Sequence, residues 1–557
     1  MTSEMLTVKN LSFSYDETEA PVLRNLSFSL KKGESMMLLG PSGSGKSSLT
    51  LCLNGLYPSV IDGHLEGSIQ LFGKSIADYL PGEASKHIGV VFQDPEAQFC
   101  MLTVEDEIAF GLENIKIPRE KIAERIGWAL QLVGLEEHLS ANIAALSGGM
   151  KQKLALACVL AMKPDLIILD EPTALLDPIT TKDFAQTIKR LQAELQFSLI
   201  VIEHKLDHWI SFMDKSLVFS ENGEVIFEGT PKECFKHYRG DLKNHGIWLP
   251  KTLLLSEQLG LDNAVPLSEK ELLETLVDYK FTVIEIPLNQ RKSVYTLHPI
   301  LETTELTYTK SEKSIIKNMN IRLPEGALTA IVGPNGAGKS TLSYLLAGLV
   351  KPTSGKVLHK EKSLRHLSDV EMSKTIGYVF QNPEHQFIAD TVYEEIAFSL
   401  KMQKRSKAEI KQIVEDILGA CRLQHLSHQH PFALSQGQKR RLSVATMMVD
   451  EQPLLILDEP TYGQDARTTE ELMKMVNKRL EVGFSAIMIT HDMELVSSYA
   501  DYVIVIIDGE VLFQGTPHLL FLASDQLLEA AHIELPIAYS LQKKLTIRGE
   551  AFAASYT

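Results

Sequence analysis

The chain has 557 residues and a formal net charge of -16, with 44 % hydrophobic and 23 % charged residues. That is the balance of a soluble globular protein of more than one domain, and its acidity argues against a partner gripped through nucleic-acid phosphates. Its 5 cysteines are scattered without a C-x-x-C, which speaks against a disulfide framework or a zinc site. No stretch approaches the ~20 apolar residues of a membrane-spanning helix, and the opening MTSEMLTVKN lacks the build of a signal peptide.

In chain order, an apolar run at 36–39 reads as a strand leading into Gly40, Pro41, Ser42, Gly43, Ser44 and Gly45, then Lys46, Ser47 and Ser48. This is the pattern G-x-x-x-x-G-K-[ST]. Its glycines let successive backbone N–H groups turn inward around phosphates, its lysine adds a mobile positive charge, and the Ser47 hydroxyl can ligate Mg²⁺. The string FQDPEAQF follows at Phe92, and LSGGMKQK begins at Leu146. In the latter, small residues before a helix-like run put backbone N–H groups and a positive helix end at Ser147, Gly148 and Gly149. LIILDEP at 166–172 reads as a buried parallel strand ending in carboxylates. Asp170 can hold Mg²⁺ through water, and Glu171 can polarise a water that faces a terminal phosphate. A further apolar run leads to His204, then come FEGTP at Phe227 and IWLP at Ile247.

All of this recurs roughly 290 residues later. The second loop is Gly333, Pro334, Asn335, Gly336, Ala337 and Gly338, then Lys339, Ser340 and Thr341. FQNPEHQF follows at Phe380, LSQGQKRR at Leu434 with Ser435, Gln436 and Gly437, LLILDEP with Asp458 and Glu459, then His491, FQGTP at Phe513 and IELP at Ile533. One such loop could be an ordinary glycine-rich turn. Two in the same context point to two bound nucleoside triphosphates. The repeat divides the chain into a first domain at 1–245, the tail of the first repeat and a connector at 246–298, and a second domain with its own tail at 299–557. A short helical run is expected near 268–279.

In combination these motifs resemble the ATP-binding-cassette (ABC) ATPases over nearly the whole chain. The resemblance implies an α/β fold of two tandem P-loop NTPase domains, each with a RecA-like core, a helical subdomain and an antiparallel β subdomain. It implies that Tyr15 and Tyr308 stack on adenine, and that Gln93 and Gln381 touch Mg²⁺ and the attacking water. It also makes His204 and His491 switch residues at the γ-phosphate. In the family two cassettes pack head to tail, so Lys46 and Glu171 would work opposite Ser435 and Gly437, and Lys339 and Glu459 opposite Ser147 and Gly149. Departures are small: Met150 stands where glutamine is usual, Gln436 replaces the first signature glycine, and Glu203 precedes His204 where threonine is usual.

The two glutamine strings narrow the likeness to the ATPases of energy-coupling factor (ECF) importers, here fused as in the group assigned to thiamine or hydroxymethylpyrimidine uptake. That implies an ATP-hydrolysing subunit, peripheral on the cytoplasmic face of the cell membrane, for a vitamin or a cobalt or nickel ion. Its partners would be an integral coupling subunit and a substrate-binding membrane subunit. Glu96 and Glu384 are expected to offer carboxylates to a basic residue of the membrane partner. Alternatives are a fused sugar-importer ATPase and a soluble ribosome-associated tandem ATPase. The latter family joins its cassettes by a long basic linker, which residues 231–300 do not supply.

Overall fold

Short, mostly apolar runs form the inner strands of two sheets, one in each half of the chain. The computed structural model describes residues 4–16, 20–80, 82–174, 176–279, 281, 284, 296–449, 452–461 and 463–554. The chain divides into two units, built mainly from Met1–Leu176 with Thr180–Leu276 and from Val277–Gln464 with Thr468–Thr557. Part of the expected connector, residues 280, 282–283 and 285–295, lies outside the described residues.

The first unit contains β1 (Glu4–Ser14), β2 (Leu23–Lys31), β3 (Ser35–Leu39), β4 (His64–Leu71), β5 (Lys74–Ser75), β6 (Ile88–Val91), β7 (Leu166–Asp170), β8 (Ser198–Ile202), β9 (Lys215–Phe219) and β10 (Val225–Gly229). An antiparallel sheet has the order β2-β1-β4-β5, and a six-stranded sheet the order β10-β9-β3-β8-β7-β6. The larger sheet is parallel apart from the β9–β10 pair. β3, β7 and β8 are buried along their whole length, because both faces are covered, so no polar alternation marks them. The period of two shows instead in which core each residue enters. Met37 and Leu39 join the helices α2 (Val104–Asn114), α3 (Arg119–Val133) and α4 (Gly148–Met162), which follow α1 (Lys46–Leu53). Met36 and Leu38 join α1 and the antiparallel sheet.

The second unit repeats the plan. Ile376–Val379, Leu454–Asp458, Ser485–Ile489, Leu328–Val332, Tyr502–Ile507 and Glu510–Gly515 form its six-stranded sheet in that order. An antiparallel sheet is built around Thr296–Lys310, and the helices Val392–Met402, Lys407–Cys421 and Gln436–Met448 stand where α2, α3 and α4 do. Each unit ends in a helical tail. In the first, Leu249, Leu253 and Leu267 belong to the main core, and a helix spans Glu269–Asp278. In the second, Leu520, Phe521, Leu528, Ile533 and Tyr539 pack against the sheet.

Because neighbouring strands run parallel, their carboxyl ends meet at one edge of the sheet. The loops after β3, β6, β7 and β8 therefore bring together Gly40 to Lys46, Gln93, Asp170 with Glu171, and His204. Crevices at such an edge are where open α/β sheets bind ligands. Among the described residues no helix is long and apolar enough to cross a membrane.

Candidate active site

The glycine-rich loops adopt the same geometry in both units. Gly45 has φ +88°, and a Cβ there would lie 2.6 Å from Leu23 Cδ2; Gly338 has φ +97° with Ile316 Cδ1 at 3.0 Å. Only glycine meets both the left-handed backbone and the close approach of the neighbouring strand. The lysine that follows folds back over its loop. Lys46 Nζ donates to the carbonyls of Gly40 and Pro41, each at 2.8 Å, and Lys339 Nζ donates to Gly333 at 2.9 Å and Pro334 at 2.8 Å. Burial drives both ammonium groups below their usual range, while Glu171 and Asp170, or Glu459 and Asp458, pull the other way. Ser44 Oγ is buried with no hydrogen-bond partner. A polar atom left that way in a loop of inward N–H groups suits an anionic oxygen.

The acidic residues follow the central strands. Glu171 and Glu459 both have φ +48°, a left-handed conformation uncommon for a residue with a side chain. Their N–H groups are tied to Ile202 O at 2.9 Å and Ile489 O at 3.0 Å. The turn brings each carboxylate to its histidine: His204 Nε2 lies 3.0 Å from Glu171 Oε1, and His491 Nε2 lies 3.1 Å from Glu459 Oε1. Gln93 Nε2 donates to the other oxygen, Glu171 Oε2, at 2.8 Å. Burial would raise Glu171, but His204 and then Lys46 outweigh it and hold the carboxyl below its usual range. Asp170 is pushed up to about 6 by burial and then by the charge of Glu171, with the Ser47 hydroxyl and Lys46 opposing. Burial likewise raises Asp458, against the hydroxyls of Ser340 and Tyr378.

These donors fit a magnesium ion. A serine hydroxyl, a glutamine amide and one carboxylate are hard oxygen ligands, and Mg²⁺ is usually held by one or two carboxylates with waters and substrate phosphates. Asp458 Oδ1 is buried without a hydrogen-bond partner, as an acceptor awaiting a hydrated cation would be. Among the described residues no group of three or more His, Cys, Asp and Glu side chains could hold a metal unaided.

In the second unit a cleft of about 510 Å³ is lined by Asn335, Gly336, Gly338, Lys339, Ser340, Thr341, Gln381, Asp458, Glu459 and His491, together with residues of the strand Lys313–Met319. Tyr308 does not line it; the ring is partly buried against the core of that unit. Tyr15 is half-exposed, its hydroxyl 2.6 Å from Ser48 Oγ and its ring edge-on to Phe13. Ser435, Gln436 and Gly437 are also absent from the cleft lining. In the first unit Ser147 and Gly148 lie exposed at the start of α4.

Several residues of the site escaped the motif reading. Arg440, buried in the signature helix, donates to Phe380 O at 2.5 Å, and to Gln381 O and Glu459 O at 2.8 Å each. Tyr378 OH donates to Asp458 Oδ2 at 3.1 Å. Glu96 and Glu384 need correction. Rather than waiting for a partner's cation, Glu96 Oε1 meets Lys151 Nζ at 2.5 Å and Glu384 Oε1 meets Lys439 Nζ at 2.6 Å. The signal was present in the repeat, since each lysine lies 55 residues after its glutamate in both copies.

Comparison with known proteins agrees with this construction. The ABC transporter family model matches residues 23–174 and 316–462. A protein of Bacillus subtilis (strain 168) named "Putative HMP/thiamine import ATP-binding protein YkoD" is 47 % identical over 555 residues, 99 % of this chain and 99 % of that one. A Methanosarcina mazei protein named "Putative ABC transporter ATP-binding protein" is 36 % identical over 98 % of this chain and 95 % of its own length. Among solved structures, cbiO1 from Clostridium perfringens, part of the ABC transporter complex cbiONQ, is 34 % identical with a TM-score of 0.38, covering 44 % of this chain and 99 % of that one. The chain belongs to the ABC transporter family: it is an ATP-binding ATPase of the ABC type with two cassettes in one polypeptide.

Proposed function

We propose that the chain is the energy-coupling ATPase of an ECF-type importer, with two Mg²⁺-dependent sites. One observation carries the catalytic half: in each cassette a partly buried glutamate just beyond the central strand meets a histidine, at 3.0 Å and 3.1 Å. Glu171 and Glu459 act as the bases that orient water and take its proton, and an ionised carboxylate with an imidazole beside it suits that work. His204 and His491 then serve the γ-phosphate, Gln93 and Gln381 the water, and the loop lysines the phosphate oxygens. Ser47, Gln93 and Asp170 would hold one Mg²⁺, and Ser340, Gln381 and Asp458 the other. Held by those residues, such an ion would neutralise charge on the phosphates. Tyr15 and Tyr308 are proposed to meet the adenine. Ser147, Gly148 and Gly149, and Ser435, Gln436 and Gly437, are proposed to complete the opposite cassette's site. Their absence from the cleft of their own cassette supports this for the second group.

The importer assignment is supported by the 47 % identity, over 99 % of both chains, to a protein named for HMP/thiamine import. A groove of about 590 Å³ in the first cassette supports a membrane partner. It runs past Phe92 and Gln98 of the glutamine string and between exposed apolar side chains, Val60, Leu80 and Phe110. Such a surface suits a helix presented by an integral membrane subunit, which would hold the chain at the cytoplasmic face. The substrate is a vitamin of the thiamine or hydroxymethylpyrimidine kind, or a cobalt or nickel ion, captured by a separate membrane subunit.

Two experiments test this. Purification from membranes should bring down small integral subunits, and Leu80→Asp with Phe110→Asp should lose them while retaining ATP binding; retention of the subunits would remove the docking assignment. Ser435→Arg should impair hydrolysis at the site containing Lys46, read by site-specific trapping of a labelled ATP analogue. Loss only at the Lys339 site would overturn the shared-site arrangement.

A further inference from the structure

Both helical tails begin at an L-P pair, and proline offers no side chain to cap the N–H groups of the helix it precedes. In the first cassette Pro250 precedes the helix Lys251–Gln258, and in the second Pro536 precedes Ile537–Ala554. The first N–H of a helix is an orphan donor, and in both tails the acceptor comes from far away. Lys251 N donates to Asp207 Oδ1 at 2.6 Å, and Ile537 N donates to Glu494 Oε1 at 2.8 Å. The sequence separations are 44 and 43 residues. Asp207 and Glu494 occupy the same place in the repeat, the third position after the switch histidines His204 and His491. A carboxylate at a helix N-terminus is also favoured by the helix dipole.

The segment after each histidine is also locked to its tail by apolar packing. Leu206, Trp209 and Ile210 are buried in one core with Leu249 and Leu253, and Trp209 meets Phe184 edge-on. In the second cassette Met493 and Val496 share a core with Ile533 and Tyr539. The same link is thus built twice, with Asp in one copy and Glu in the other. What the two copies share is the connection from the histidine segment to the first turn of the tail.

From this juxtaposition we infer that each tail is a positioning element for its switch histidine, and that Asp207 and Glu494 are the positioning residues. The tail holds the segment that sets the imidazole against Glu171 or Glu459. A displacement of the histidine at the γ-phosphate would in turn be felt at the tail's first turn. Nucleotide state and tail position are therefore linked in both directions. This rests on the assignment of His204 and His491 to the γ-phosphate.

The test uses the full chain. Asp207→Ala with Glu494→Ala should lower kcat for ATP about tenfold, the low end of the loss expected when a hydrogen bond to a charged group is removed from the catalytic geometry. The KM for ATP should hardly move, and the thermal midpoint should fall by only a few degrees and stay well above the assay temperature. Asp207→Asn with Glu494→Gln keeps an acceptor oxygen and should restore most of the rate. Hydrogen exchange at Lys251 and Ile537 should change on ATP binding in the wild type and not in His204→Ala with His491→Ala. Wild-type kcat in the alanine pair, or a kcat loss that merely follows a fallen thermal midpoint, overturns the inference. If the histidine variants hydrolyse normally, the γ-phosphate assignment fails whatever the tails do. If they are inactive while the alanine pair is unaffected, the tail inference alone fails.

Discussion

The two cassettes are built to one plan but secure their catalytic edges by different polar contacts. In the second, the Arg440 guanidinium ties the glutamine loop to the backbone of the catalytic glutamate through three carbonyls. The residue in the same place in the first cassette is Gln152, whose amide makes a single contact of 3.5 Å to Phe92 O. Tyr378 hydrogen-bonds Asp458 in the second cassette, while Val90 stands there in the first and can offer nothing. Ser435 and Gln438 form a reciprocal capping box at the head of the second signature helix, and Met150 denies that to Ser147. The first cassette has one lock of its own: Glu203 accepts from Thr173 N at 3.0 Å and from the Thr173 hydroxyl, where the second carries Thr490. The loop lysine, the Asp-Glu pair and the histidine are thus shared by both cassettes, while the residues that hold them in place differ.

The largest effects should come from the bases. Glu171→Gln and Glu459→Gln each remove a group of a kind that contributes roughly 10²–10⁴-fold. The double variant should fall to background while still binding ATP. Steady-state hydrolysis of the two single variants sharpens the comparison. If the second site is the better organised, Glu459→Gln will cost more than Glu171→Gln. Equal losses would mean that the different supports are functionally silent.

Arg440→Gln copies the first cassette's arrangement into the second. Hydrogen bonds from a charged donor contribute about 1.5–3 kcal/mol, so kcat should drop about tenfold if that positioning is expressed in the rate. The thermal midpoint should also fall, since three carbonyls lose a buried partner. The reciprocal Gln152→Arg should change kcat by less than about threefold, because the first loop is shaped around a shorter side chain. A large gain from Gln152→Arg would show that the guanidinium alone makes the difference.

How much of this was open to reading depends on distance along the chain. The central strands were legible because strands covered on both faces are continuous apolar runs, and the residues at their carboxyl ends could be placed from parallel topology alone. Lys46, Glu171 and His204 therefore emerged together. The supports were not legible. Arg440 reaches Phe380 across 60 residues, and no local spacing reports that contact. Glu96 and Glu384 read as carboxylates for a partner's basic residue because their own lysines lie on a helix whose facing direction only the packing decides. Tyr308 is harder to place from its motif: its ring is partly buried against the core, and residues of the strand Lys313–Met319 line the cleft beside it.

A smaller difference should appear between the two lysine–glutamate pairs. Side-chain exposure is 13 % and 65 % for Lys151 and Glu96, against 10 % and 33 % for Lys439 and Glu384. Solvent screens the first pair more, so a double-mutant cycle on stability should give a coupling of about 1 kcal/mol for Lys439–Glu384 and about half that or less for Lys151–Glu96. Equal couplings would show that exposure does not set their worth.

The most local difference is one of pH. Glu203 is buried, and burial pushes its carboxyl up to about 7, with the hydroxyl and N–H of Thr173 opposing. Between the ordinary value of 4.5 and about 7 the native state keeps a proton that the unfolded chain has released. The unfolded state then binds fewer protons, so the first cassette loses stability as pH rises through that window and levels off above it. The second cassette, with Thr490 in that place, has no such contribution. Glu203→Gln should flatten the fall in the first cassette's thermal midpoint between pH 5 and pH 8, by about 2–4 °C for each kcal/mol removed. Its absolute midpoint shifts as well, because the amide's one oxygen cannot accept both from Thr173, as Glu203 Oε1 does, and from the His204 backbone N–H that Glu203 Oε2 accepts at 3.2 Å. The slope with pH is therefore the quantity to compare. Thr490→Glu should introduce the same slope into the second cassette, and a flat profile there would trace the effect to the surroundings of Thr173 rather than to the buried carboxyl itself.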